Sequence, residues 1–155
     1  MICMEYEGTL AGCRRWAEAG QLGEWVHRYL LSDGDNVPLS DGLREEEAVF
    51  HCPVVMPLFL FTRCSGPSEE GLAFRVDAGW WAYKVERIRQ AMVAGADLPP
   101  LIIGWCGETD AFGLNDGNHR WEACRQLGIA EYPVILWCHE AELPALLARY
   151  GHLMA

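Results

Sequence analysis

The stretch Leu114-Asn115-Asp116-Gly117-Asn118-His119-Arg120-Trp121-Glu122-Ala123 constrains the fold more than any other. An apolar, strand-like run enters Asp116-Gly117, a small polar cluster follows, and a helical pattern begins at once. Strand, tight turn and helix in succession put a helix N-terminus at the end of a strand. Backbone N–H groups and the positive end of the macrodipole are then presented together. Such a place binds anions, phosphate above all. His119 and Arg120 stand in the first helical turn, where the dipole favours acids instead. Two donors there make sense when an anion arrives to meet them.

The flanking chain supplies a frame. Leu10, Cys13, Trp16 and Ala17, then Trp25, Val26, Tyr29 and Leu30, fall at helical spacing over residues 9–32. Gly20 and Gly23 divide this into two helices. Glu24 and Arg28, four apart, make a surface pair. Ser32 to Asn36 is a turn cluster whose oxygens lack the spacing of a calcium loop. Residues 37–49 read as a short solvated helix or loop. Val54 to Phe61 reads as a strand, at an edge or with a bend because Pro57 cannot donate to a ladder. Residues 63–72 form a loop, and Leu72 to Val76 a second short strand. Trp81 to Ala94 is an amphipathic helix with Val85, Ile88, Met92 and Val93 on its apolar face, stopped by Gly95. Leu98-Pro99-Pro100 launches the strand Leu101–Trp105, and 111–115 returns as its hairpin partner. A helix from about 119 to 127 ends at Gly128, Tyr132–Trp137 is a further strand, and Glu140–Tyr150 closes the chain, with Pro144 in its first turn. The expectation is an α/β (α+β) fold: a small mixed sheet with surrounding helices, with residues 1–50 as an N-terminal helical extension and 51–155 as the main domain.

Composition narrows the partners. A chain of 155 residues with a formal net charge of -10 repels nucleic acid phosphates. Its lone lysine, Lys84, belongs to no basic run. No apolar stretch approaches the roughly 20 residues that span a bilayer. The seven cysteines are irregularly spaced, without a C-x-x-C, and Met1 to Glu7 lack the cationic start expected of a signal peptide. The expectation is a reduced, cytoplasmic protein whose cysteines act as small hydrophobes.

Three segments together resemble the ParB/sulfiredoxin-like domain (the ParB N-terminal, or ParB-like nuclease, family) over roughly 53–140. They are the helix ending at Gly95 with its Leu98-Pro99-Pro100 entry into a strand, the Leu114–Arg120 turn with Ala123, Leu127 and Gly128 behind it, and Tyr132-Pro133-Val134-Ile135. In that family the turn grips the phosphates of a nucleoside triphosphate. The resemblance implies that Gly117, Asn118, His119 and Arg120 hold ATP or CTP, with Mg²⁺ carried largely by the phosphates. Partition proteins use CTP as a DNA-clamp switch, sulfiredoxins use ATP to repair an oxidised cysteine, and some relatives phosphorylate free serine. Sulfiredoxins carry a cysteine where Asn118 stands, which argues against reductase chemistry here. Partition proteins carry Gly-Glu-Arg-Arg at this turn, and His119 replaces the first arginine. What the resemblance leaves is nucleotide binding, with NTP hydrolysis or phosphotransfer to a small-molecule acceptor. The alternative is a non-catalytic member that binds a protein partner through its acidic, tryptophan-rich surface.

Asp116 is the candidate for Mg²⁺ or acid–base work, or else it braces the turn or caps the helix. Glu122 is a structural partner near Arg120 or a catalytic carboxylate. Trp80-Trp81 belong to the core or stack on a base. Glu24 and Asn36 touch a substrate if the N-terminal segment folds over the cleft. His51-Cys52 and Cys138-His139 would make a zinc site only if they met in space. His152 is expected to face solvent. Walker, Rossmann and G-x-S-x-G patterns do not occur.

Overall fold

A computed structural model describes residues 4–61, 65–66, 74–75 and 77–153. Two apolar runs, β4 (Leu101–Cys106) and β6 (Glu131–Cys138), lie side by side and parallel at the centre of a four-stranded sheet. Leu101, Ile102, Ile103, Val134, Ile135 and Leu136 are all fully buried, as strands covered on both faces must be. The strand β5 (Ala111–Asp116) pairs antiparallel with β4, and β1 (Val49–Pro57) pairs antiparallel with β6, giving the order β1-β6-β4-β5. A hairpin can join β4 to β5, but the return to a parallel neighbour needs a crossover. The helix α5 (Asn118–Leu127) is that crossover.

β1 begins earlier than its apolar run suggests, and it ends at Pro57, on the sheet edge where a residue without an N–H is tolerated. A bulge interrupts it between His51 and Val54, and a 3₁₀ turn, Leu58–Leu60, takes the place of its expected continuation. Of the expected loop over 63–72 only Ser65 and Gly66 are described, and of the expected strand over 72–76 only Phe74 and Arg75. Within those segments β2 (Ser65–Gly66) pairs in parallel with β3 (Phe74–Arg75).

Helices cover both faces. On one, α1 (Leu10–Glu18), α2 (Leu22–Leu30) and α3 (Val37–Glu45) pack Cys13, Trp16, Trp25, Val26, Leu30 and Leu43 against Ile102 and Ile135. Position 20 has φ +75°, which parts α1 from α2. The segment 37–49, read as a short solvated helix or loop, forms α3 and still buries Leu43 in the apolar cluster and Ser40 at 2.7 Å from His27 Nδ1. On the opposite face α5 places Cys124 among Leu101, Ile103 and Leu136. Behind it lies α4 (Ala78–Val93), joined to α5 through Trp81, Val85 and Ala123. α4 starts before Trp81 because Asp77 caps it, its carboxylate accepting from the Trp80 N–H at 2.9 Å. Val93 does not join the apolar face and stands 76% exposed in the last turn. A 3₁₀ turn, Glu140–Glu142, precedes α6 (Leu143–Tyr150), which carries Pro144 in its first turn. Among the described residues no helix is long and apolar enough to cross a membrane.

Candidate functional site

The site grows from a bulge in the β4–β5 pairing, where Ile103 lies opposite Leu114 but Ile102 lies opposite Asp116. Leu114 is buried with Ile103 on the α5 side of the sheet, whereas Asp116 is buried toward Tyr29 and Asn115 accepts the Trp137 indole N–H at 2.8 Å. Gly117 then turns the chain with φ +103°, a left-handed conformation that side chains disfavour. A Cβ at this position would lie 2.3 Å from Leu101 Cδ2. The Trp121 N–H returns to the Gly117 carbonyl at 2.9 Å and starts the α5 ladder. The first-turn amides of Asn118, His119 and Arg120 therefore precede any intrahelical acceptor.

Arg120 points back under the turn. Its Nη2 donates to Asp116 Oδ2 at 3.3 Å and to the Pro100 carbonyl at 3.1 Å, and its Nη1 donates to Tyr29 Oη at 3.2 Å. The Tyr29 hydroxyl donates in turn to Asp116 Oδ2 at 3.1 Å. Side-chain exposures of 11% for Arg120 and 12% for Asp116 make this a nearly buried ion pair. Burial works against the guanidinium charge, but Tyr29 and Asp116 outweigh it and raise the Arg120 pKa. Burial pushes the Tyr29 hydroxyl up to about 12. Asp116 thus braces the turn, and Gly117 rather than Asp116 occupies the cap position.

His119 faces the other way. Its ring packs on Trp81 with centroids 4.5 Å apart, and its buried Nε2 finds no hydrogen-bond partner among the described residues. Burial, then the charges of Lys84 and Arg120, lowers its pKa to about 4, so the imidazole is neutral near pH 7. The unfolded chain, titrating near 6.5, binds the proton that the fold rejects. Stability from this group is complete above about pH 6.5 and is lost as pH falls from there toward 4. Discounted for partial solvent exposure, His119→Asn is expected to shrink the stability difference between pH 7 and pH 5 by about 1 kcal/mol. Urea melts at the two pH values check this, and an unchanged difference would contradict it.

These groups line a cavity of about 330 Å³. Its walls are the turn 115–120, the loop 33–36 with Tyr29 behind it, and Lys84 and Ile88 of α4. All five candidates, Asp116 through Arg120, come together here. Asn36 reaches the cavity too, although its side chain accepts the Leu39 N–H and caps α3. Glu24 does not; it borders a separate cavity of about 650 Å³ between the N-terminal helices. The expected Glu24–Arg28 pair is not formed among the described residues, since Arg28 lies over the Trp16 ring, 5.7 Å from its centroid.

Glu122 turns away from Arg120 and is held by Arg125, Nη2 to Oε2 at 2.7 Å. β1–β6 pairing sets His51 opposite Leu136 and Val49 opposite Cys138, which brings the two His/Cys segments to adjacent strands. His139, however, is taken by Glu46 and Glu142. Among the described residues no three His, Cys, Asp or Glu side chains could hold a metal ion. Cys13, Cys124 and Cys138 are buried like small hydrophobes, whereas Cys106 is exposed. His152 is exposed.

Sequence reasoning missed Tyr29, Lys84 and the loop 33–35 as parts of the site. The signal for Tyr29 was its hydroxyl: a tyrosine in the middle of an apolar stripe needs a partner for its polar tip.

No family model matches the chain, and no curated protein matches it. Among solved structures it is similar to free serine kinase in complex with AMP, at 18% identity over 54% of this chain and 30% of that one, with a TM-score of 0.40. Sulfiredoxin from Arabidopsis thaliana matches at 18% identity over 54% of this chain and 82% of that one, TM-score 0.40. The C-terminally truncated partitioning protein ParB from Caulobacter crescentus, complexed with CTP-γ-S, matches at 16% identity over 54% and 43%, TM-score 0.37. The resemblance over roughly 53–140 named the same three kinds of protein. The chain spans less than a third of the kinase and less than half of the ParB chain.

Proposed function

We propose that this cavity binds the phosphate groups of a nucleoside triphosphate, ATP or CTP, at the N-terminus of α5. The observation that carries the reading is His119 Nε2, buried beside the cavity without a partner among the described residues. A buried polar atom costs free energy until something bonds it, and a phosphate oxygen accepts from a neutral imidazole N–H. The first-turn amides and the helix dipole add to the same attraction. Lys84 supplies a mobile charge from the opposite wall. Gly117 lets the chain take the left-handed turn that presents these amides.

In this reading Asn118, His119 and the turn amides contact phosphate. Arg120 acts from beneath, holding the turn through Asp116 and Pro100 while its charge adds to the local field. Asp116 is then a positioning residue, because Arg120 and Tyr29 already engage its Oδ2. Mg²⁺ would travel with the phosphates, with Asp33 and Asp35 on the facing wall. Phosphoryl transfer asks mainly for such positioned charge. Hydrolysis, or transfer to a small acceptor, is the activity that the arrangement would support. A role as a binding module for a protein partner is the alternative when no turnover follows binding.

Thermal or chemical melts with ATP, CTP and ADP, each with Mg²⁺, test binding. At about 100 times Kd the expected stabilisation is about 2.7 kcal/mol. His119→Ala should remove most of it. The absence of any shift with every nucleotide would sink the proposal, and phosphate release separates turnover from binding alone.

A further inference from the structure

The tandem tryptophans of α4 divide between two environments. Trp81 is 6% exposed and backs His119. Trp80, one residue earlier on the helix, is 55% exposed, and its ring stacks at 5.8 Å and 28° on Tyr83, itself 51% exposed. Trp80 is thus no core residue, although its neighbour is. The Lys84 ammonium lies 5.2 Å from the centroid of the Trp80 ring, and Lys84 also lines the phosphate cavity. The only lysine of the chain therefore spans from the anion site to an exposed indole.

We propose that Trp80 is the platform on which the base of the bound nucleotide stacks, and that Lys84 clears it: the ammonium rests over the ring without ligand and swings to phosphate when ligand arrives. The proposal rests on the phosphate-binding reading above. An exposed cation–π contact is weaker than a charge-assisted hydrogen bond to phosphate, so the exchange runs toward the phosphate. The flexible four-carbon stem of lysine permits the swing. Phosphates anchored at α5 and a base laid against α4 would place the sugar across the gap that Lys84 now bridges. Every base offers a π face, and stacking alone reads little else. The larger purine face gains more, so ATP is favoured over CTP.

The test compares ATP, CTP and inorganic triphosphate, each with Mg²⁺, by calorimetric titration of wild type, Trp80→Ala, Trp80→Phe and Lys84→Gln. Wild type is expected to bind ATP about 10-fold more tightly than triphosphate, since stacking acts only on the base. Trp80→Ala should bind triphosphate as wild type does yet lose most of that preference, and Trp80→Phe should keep most of it. Lys84→Gln should weaken triphosphate and ATP alike. Equal wild-type affinity for ATP and triphosphate, or a preference that survives Trp80→Ala, overturns the platform. Unchanged triphosphate affinity in Lys84→Gln overturns the swing. If triphosphate and ATP both fail to bind wild type, the phosphate-binding reading itself falls, a result separable from the others.

Discussion

Arg120→Leu is expected to cost about 3–5 kcal/mol of folding stability, the range seen when one partner of a buried ion pair is removed. The cause is what the substitution leaves behind. Asp116, with its side chain 12% exposed, loses its guanidinium and keeps the Tyr29 hydroxyl at 3.1 Å. The Pro100 carbonyl loses a donor at the same time. Urea denaturation at neutral pH measures the loss, and a cost below about 1 kcal/mol would mean that the pair is screened as a surface pair is. Adding Asp116→Asn to Arg120→Leu should recover part of the stability, because the stranded charge is then gone. This cycle separates the brace from any contact of Arg120 with ligand, since it is run without nucleotide.

The second large effect is expected at Gly117. Gly117→Ala should cost about 2–5 kcal/mol, combining the strain of a left-handed backbone, about 1–2 kcal/mol, with overpacking of a filled core, about 1–3 kcal/mol. The new methyl would fall 2.3 Å from Leu101 Cδ2 and 3.0 Å from Arg120 Nη2. Leu101 is fully buried at the start of the central strand and has little room to retreat. Gly113→Ala is the control, in the strand that leads into the turn, where a Cβ meets nothing within 4 Å. It should be near neutral in the same melts. If the two variants proved equally mild, the turn would be more plastic than its geometry implies.

The local frame of the candidate site is legible in the sequence alone. The strand, turn and helix around Asp116–Arg120 were written in the switch from an apolar run, through Gly117, to a helical period, and those are local signals. The edge position of β1 followed from Pro57, because a missing N–H is a local fact with a definite consequence in a sheet. What could not be read was direction. Arg120 and His119 are adjacent on one helix turn, yet one points beneath the turn to Tyr29 and the other into Trp81. The sequence offered both as donors to an anion. Only the surroundings show that both Arg120 Nη atoms are already engaged, while among the described residues His119 Nε2 and Arg120 Nε find no partner.

The sequence by itself determined most of the order of elements, the strand–turn–helix at Asp116–Arg120, the glycine that makes the turn, and the chain's acidity. These depend on residues close along the chain, or on totals that no fold can change. The tertiary structure decided the rest: that the loop after α2 walls the cavity, that Tyr29 reaches 87 residues along the chain to Asp116, and that Trp80 is left outside while Trp81 goes in. Helical periodicity says which residues share a face. Which hydroxyl on that face finds which carboxylate depends on packing across the sheet, and no local pattern encodes it.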